Sequence, residues 1–448
     1  MQESRTPLER FLGLFAEVRA GEGAVVLLLA LNIFLILTAY YIIKPVREAL
    51  ILSVDGGAEL KSYAAAGQGL LLLGAVPIYA WLASRVPRRR LIVLVTLFFV
   101  SNLALFFVAI KLAPDSSRLL AIGFFLWVGV FNLMVPAQFW SFANDVYSVD
   151  QGKRLFAIVA FGASLGAVLG SDITRRLIIP LGLDQLLLLS GGLLLIALLV
   201  TGLAENLQGD RKDRAAVAKE EEPLPPGGAF SLVLRNRYLL LIGMLMLLTN
   251  WVNTTGEYIL GDTVKTAIEA RADAEMIAES VRDQWVGEQI GAFYAAFFRV
   301  VNLLGLGLQL FVVSRVLKYL GVRVALLILP CIAFGGYAFL FALPLLNVVR
   351  WAKTAENATD YSLQNTVRQA LFLPTTREQK YKAKQAIDTV FVRAGDVLSA
   401  LLVYVGVHLL ALGARQFALV NMVLVVVWLV LAVQIGREYR RLTEETAA

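Results

Sequence analysis

Residues 353–370 read KTAENATDYSLQNTVRQA. The apolar run CIAFGGYAFLFALPLLNVV (331–349) precedes them, and another long apolar stretch follows from 384. Lys353, Glu356, Asp360 and Arg368 thus stand where a membrane protein normally places a lipid-soluble helix. Positions 353, 356/357, 360, 364 and 368 recur at three- and four-residue steps, which predicts one polar helix face. Such a helix crosses a bilayer when that face meets protein or a water-filled cavity. Counted as a span over 346–372, the stretch completes a set of twelve and decides the fold.

The composition agrees. The 448 residues are 58% hydrophobic and 17% charged, with a mean hydropathy of +0.71, a balance outside the range of water-soluble domains. A bilayer core takes about 20 apolar residues per helix. The other runs fall near 24–52, 64–84, 91–111, 119–147, 155–180 and 185–204, then 238–260, 288–314, 323–345, 384–412 and 415–436. None shows the short period-2 alternation of a β-barrel. The expected class is an all-α polytopic membrane protein. The start, MQESRTPLERFLGLFAEVRAGEG, lacks a cleavable signal pattern and reads as an amphipathic lead-in.

Arginine and lysine orient the chain. With the N-terminus inside, 25 fall in inner segments and nine in outer ones, so both termini are expected to be cytoplasmic. The net charge of +7 is this bias and does not point to nucleic acid. Cys331 and His408 are each the single residue of their kind, which leaves no disulfide and little for zinc. No Walker A lysine motif and no nucleophile–base pair occur, so neither an ATP-hydrolysing pump nor another enzyme is expected, and no cofactor or metal.

The charged, Pro- and Gly-rich stretch ENLQGDRKDRAAVAKEEEPLPPGGAF (205–230) follows six spans. It predicts a linker over 205–237 between six-helix bundles at 1–204 and 238–448. LASRV at 82–86 recurs as VVSRV at 312–316, and GAVLG at 166–170 as GDVLS at 395–399, at offsets of 230 and 229 residues. A parallel six-plus-six repeat is the architecture of the major facilitator fold, with its substrate between the halves. The acidic outer segment 262–288 is expected to be an extended helix. Gly162, Gly166 and Gly170, four residues apart, predict a close helix-packing face.

Charges inside spans are candidates for function because each is costly there. The first span holds Lys44, Arg47 and Glu48 around Pro45, buried if the helix runs on to Ser53 and in an outer loop if it stops at Ile43. Asp145 ends the fourth span, Glu257 interrupts the seventh, and Asp388, Arg393 and Asp396 lie in the eleventh.

Three of these segments resemble a known family. FANDVYSVDQGKR, DYSLQNTVRQALFLP and REQKYKAKQAIDTVFVRAGDVLSALLV are similar to the ATP/ADP translocase-type nucleotide transporters of plastids and intracellular bacteria. YYIIKPVREALIL resembles their first-span motif. The resemblance implies exchange of nucleotides, with Arg47, Asp145, Glu257, Arg368 and one or more of Lys380, Lys382 and Lys384 at functional positions. Pro45, Asp360 and Asp396 depart from its motifs, the latter two placing anions where the family carries lysines. Clustered positive charge is what draws a polyphosphate.

The expected function is therefore secondary transport of an anionic, phosphorylated solute, with ATP/ADP as the implied class. The protein would work as a monomer in the inner membrane, without nucleic acid. Lys44, Arg47, Lys353, Arg368, Arg393 and Lys382 are the candidate anion contacts, and Glu48, Asp145, Glu257 and Asp360 the candidate gating, proton or counter-substrate groups. Alternatives are a transporter of a drug, lysolipid or peptide, and a non-transporting sensor.

Overall fold

The computed structural model describes residues 6–13, 16–112, 118–147, 149–209, 229–376, 379 and 383–447. Every regular element among them is helical. In chain order they are α1 (Pro7–Leu12), α2 (Gly23–Ser53), α3 (Gly57–Arg85), α4 (Arg88–Leu112), α5 (Arg118–Val146) and α6 (Val149–Gly209). There follow α7 (Ala229–Arg235), α8 (Arg237–Ala274), α9 (Glu279–Phe311), α10 (Val313–Tyr319) and α11 (Gly321–Ala342). The last are α12 (Leu346–Thr359), α13 (Asn365–Leu371), α14 (Lys384–Ala386), α15 (Val392–His408) and α16 (Ala414–Ala447). Two π-turns, Asp360–Gln364 and Ile387–Phe391, connect α12 to α13 and α14 to α15.

Ten described helices are long and apolar enough to cross a membrane. One of them holds two of the expected spans: α6 breaks just after Pro180, at Gly182, where φ is +83° and ψ 168°. Glycine adopts that left-handed φ without a Cβ penalty. The expected tenth span is α12, the first π-turn and α13 in series. The outer segment 262–288 is not a helix of its own. At 38 residues α8 is about 57 Å long against a hydrocarbon core of about 30 Å, so it carries its own end out to Ala274, and α9 starts again at Glu279.

The chain divides into two compact units. Unit 1 is Met1–Leu50, Leu71–Glu221 and Gly287–Arg299; unit 2 is Ile51–Leu70, Glu222–Val286 and Val300–Ala448.

In unit 1, the three glycines of α6 meet the backbone of α2. A Cβ added at Gly162, Gly166 or Gly170 would lie 2.5, 2.4 or 2.5 Å from the carbonyl oxygens of Ala30, Phe34 and Thr38. Only hydrogen fits at these four-residue steps, so the helices lie backbone to backbone. Pro45, inside α2, has no N–H for the Tyr41 carbonyl. Thr174 of α6 points its hydroxyl at that oxygen from 3.5 Å, the kind of side-chain replacement a proline in a span requires. The helix continues to Ser53, so the long-helix reading of the first span holds.

Unit 2 repeats the contact. A Cβ at Gly395 of α15 would lie 2.6 Å from the Leu247 carbonyl oxygen of α8. Gly395 is the counterpart of Gly166 in the internal repeat, and here too a glycine meets the backbone of its unit's first long span. α8 also packs on α12 and α16, and α11 on α16 and α12.

Glu22, just ahead of α2, is clamped by Arg154 at 3.0 and 3.1 Å and accepts from the Arg19 N–H and the Gln151 amide. Burial alone would raise its carboxyl, but these donors together hold it below the usual carboxylate range. A depressed folded pKa contributes stability at neutral pH that disappears as pH falls through the folded value. Thermal unfolding in detergent is expected to show Glu22→Gln flattening the stability loss below about pH 4. In the same assay Gly166→Leu is expected to cost about 1–3 kcal/mol or more from overpacking. Gly192→Ala, whose Cβ meets nothing within 4 Å, is expected to unfold like the parent.

Candidate functional site

The tenth span delivers its charges to α8. Lys353 is 2% exposed, and its ammonium lies 3.0 Å from Glu356 Oε1 and 3.8 Å from Glu257 Oε1. It also donates to the Asn253 side-chain oxygen at 2.8 Å. Glu257 accepts from Asn357 at 3.1 Å and from Lys61 at 3.3 Å. Tyr337 of α11 donates to Glu356 Oε2 at 3.2 Å. Two cations and two anions thus form one network joining α3, α8, α11 and α12, entirely within unit 2. Buried ions are tolerated when paired and hydrogen-bonded in this way.

Glycine shapes the network. A Cβ at Gly256 would meet the Tyr337 hydroxyl at 2.2 Å and the Lys353 ammonium at 3.0 Å. Helical spacing places Asn253 and Glu257 one turn apart on α8, opposite Lys353, Glu356 and Asn357 on α12.

Beyond Thr359 the even polar stripe changes character. The π-turn at Asp360–Gln364 widens the helix, so the α-helical step used to extend the stripe to Arg368 does not apply there. Among the described residues, Asp360 Oδ1 and both amide atoms of Gln364 are buried without a hydrogen-bond partner. Arg368 donates to Asn365 at 3.4 Å, on the exposed side.

A second constellation lies in unit 1. The Lys44 ammonium sits 3.9, 5.2 and 5.9 Å from the ring centroids of Phe298, Tyr41 and Tyr40, a cation–π enclosure. Arg47 grips Glu48, its Nε donating to Oε1 at 3.0 Å, and covers the Phe125 ring at 4.5 Å. Glu48 is 1% exposed.

Other expected residues are placed apart from these two. Asp145 is half-exposed and pairs with Arg88 at 2.9 Å; Arg88 also meets Glu205 at 3.5 Å. Arg393 pairs with Asp396 at 3.0 Å, and Asn250 and Thr254 donate to the same carboxylate. Lys382 lies outside the described residues, as do Lys380 and Arg377.

Sequence reasoning missed several participants. Lys61, expected only as an outer charge, is 7% exposed and bonds Glu257. Arg175 and Arg176, also expected only as outer charges, lie on α6 and pair with Asp172. Arg299 was absent from the expected sites and pairs with Asp172 at 3.0 Å. The signal was legible: SDITRR puts one acid three and four residues before two arginines, and AFFRVV isolates an arginine in a span. Among the described residues no cluster of three His, Cys, Asp or Glu side chains could hold a metal ion.

Comparison with known proteins accords with this architecture. ADP,ATP carrier protein 2 of Chlamydia pneumoniae is 21% identical, over 98% of this chain and 93% of its own. ADP,ATP carrier protein 2 of Chlamydia trachomatis serovar D is 23% identical, over 97% and 92%. Among solved structures, a bacterial homolog of the human lysosomal transporter Spinster aligns with a TM-score of 0.57 and 14% identity, over 98% of this chain and 99% of that one. A nucleoside transporter aligns with a TM-score of 0.60 and 10% identity, over 93% and 99%. At those identities the likeness speaks for the fold. The Major Facilitator Superfamily model matches residues 29–373, most of the chain, and the protein belongs to that superfamily as a multi-pass membrane transporter distantly related to ADP,ATP carriers.

Proposed function

We propose that the protein is a secondary transporter of the inner membrane that exchanges an anionic, phosphorylated solute of the nucleoside di- and triphosphate class by alternating access. The observation that carries this reading is the Lys61–Glu257–Lys353–Glu356 network. Lys61 and Lys353 offer Glu257 two alternative cationic partners within one compact unit. A carboxylate that holds different partners in the two access states biases the equilibrium between them, since differential contacts do so. The name of the Chlamydia relatives, ADP,ATP carrier, supports the substrate class. In this reading both termini lie in the cytoplasm, 205–237 is the linker, and the working form is a monomer.

Within this reading Lys44, Arg47 and Lys353 attract and position the anion, since they are cations in spans that line the path of facilitator folds. Glu257 exchanges partners between Lys61, Lys353 and substrate. Asp360, with one oxygen unbonded among the described residues, takes up a proton or a counter-charge. Asp145 and Arg88 form the inner mouth, and Arg368, Lys382 and Arg393 draw anions from the cytoplasm. One observation favours a second reading, transport of a different solute. Asp396 stands where the nucleotide exchangers carry lysine, and it is locked to Arg393 and two hydroxyl or amide donors.

The test is uptake by purified protein in liposomes loaded with ADP, using labelled ATP, ADP and a panel of phosphorylated and neutral solutes. Counter-exchange of a phosphorylated solute is expected; uptake restricted to neutral solutes would reject the substrate class. Glu257→Gln is expected to lower exchange at least tenfold. Lys353→Gln leaves Glu356 uncompensated and is expected to destabilise by about 3–5 kcal/mol. The double change Lys353→Gln with Glu356→Gln is expected to recover most of that stability without recovering exchange. Recovery of both would reduce the network to a structural clamp.

A further inference from the structure

Three arginines share one carboxylate in unit 1. Asp172 Oδ1 accepts from Arg175 Nη2 at 3.1 Å and from Arg299 Nη1 at 3.0 Å, and Oδ2 lies 2.7 Å from Arg176 Nε. Arg175 and Arg176 follow Asp172 on α6, and Arg299 reaches across from α9. Among the described residues, Asp172 is the single carboxylate paired with any of the three. Three positive charges against one negative leave an excess of two.

The cluster sits on the part of α6 that precedes the break at Gly182. An excess of charge there is held by protein, water or a bound ion, because lipid does not solvate it. A brace between α6 and α9 would need Asp172 and Arg299 alone, and that pair is neutral. The two further arginines make the cluster cationic, and it adjoins the aromatic enclosure of Lys44. Thr174, two residues on, meets the Tyr41 carbonyl, and the Tyr41 ring packs against Phe298, next to Arg299. Lys44 lies over that same Phe298 ring.

Each guanidinium has five N–H groups, and Asp172 engages one nitrogen of Arg176, one of Arg299 and two of Arg175. The rest stay accessible, for Arg175 and Arg299 are 39% exposed and Arg176 68%, whereas Asp172 is 17%. A phosphate group brings three terminal oxygens and close to two negative charges at neutral pH, matching both the spare donors and the excess charge. Arginine forks pair with phosphate bidentately.

We propose that Arg175, Arg176 and Arg299 form a binding site for a phosphate dianion. Asp172 is its resident placeholder, holding the three forks in register until the anion arrives. The group comes from a soluble phosphorylated compound or from a lipid headgroup that ends in a phosphomonoester, and the soluble case rests on the anionic-cargo reading above.

The test uses full-length protein in nanodiscs of phosphatidylcholine, titrated with radiolabelled pyrophosphate, and in parallel discs containing phosphatidic acid, whose headgroup is a phosphomonoester. Saturable pyrophosphate binding is expected, weakened at least tenfold by Arg299→Gln and by Arg176→Gln, and less by Arg299→Lys, which keeps the charge. Asp172→Asn is expected to bind as tightly as the parent or several-fold tighter, since it removes the competing carboxylate. Thermal unfolding without anion identifies any variant that has lost its fold, and Arg299→Lys then carries the comparison. Phosphatidic acid retention that depends on Arg299, without pyrophosphate binding, assigns the same site to a lipid headgroup. Failure of the parent to bind either probe, or binding unchanged in Arg299→Gln and Arg176→Gln, overturns the proposal. No gradient enters the measurement, so its outcome is independent of whether the protein exchanges nucleotides.

Discussion

A charge that enters a bilayer has to bring its partner, and this rule organises the spans. Lys353 is buried because Glu356, Glu257 and Asn253 surround its ammonium. The partners come from α8 and α12, so pairing the charge also fixes how those helices face each other. Glu48 follows the same rule more locally, answered by the residue before it. A hydrophobic span tolerates rotation about its axis; a span with an ionic partner across the contact does not. Polar residues here act as registers for helices that lipid would otherwise leave free to turn.

Backbone contact supplies the complementary constraint. The α6 glycines let α2 approach within a hydrogen atom's width, and Gly395 lets α15 approach α8 in the same way. Because both contacts use corresponding positions of an internal repeat, the two units are built on one local plan. Side chains have since diverged on it: Ala167 is followed in the repeat by Asp396, which collects donors from Asn250, Thr254 and Arg393. One unit kept an apolar seam where the other gained a charged one.

Much of this was legible in the residues. Hydropathy located the spans, the glycine spacing named a packing face, and the continuation of apolar residues after Glu48 placed Lys44 and Arg47 within a helix. What escaped was long-range or non-ideal. Lys61 lies only a few residues from an exposed turn, and no local pattern says that Glu257, 196 residues away, will take it up. Arg175 and Arg176 counted only toward the charge bias, and no local pattern brings Arg299 of α9 to the same carboxylate. The π-turns were invisible because spacing arguments assume a constant 3.6 residues per turn, and that assumption carried the polar stripe too evenly to Arg368.

Those two wide turns have a mechanical meaning. A π-turn stores one residue beyond what an α-helical turn would hold, so each of the tenth and eleventh spans contains a movable unit of slack. Shifting that surplus along the helix rotates everything it passes by about 100°, with no change in chain length and only a brief exchange of backbone partners. Such a helix resembles a screw with a travelling thread. It can re-aim Asp360, Gln364 or Asp388 toward a different neighbour while the ends of the span stay anchored.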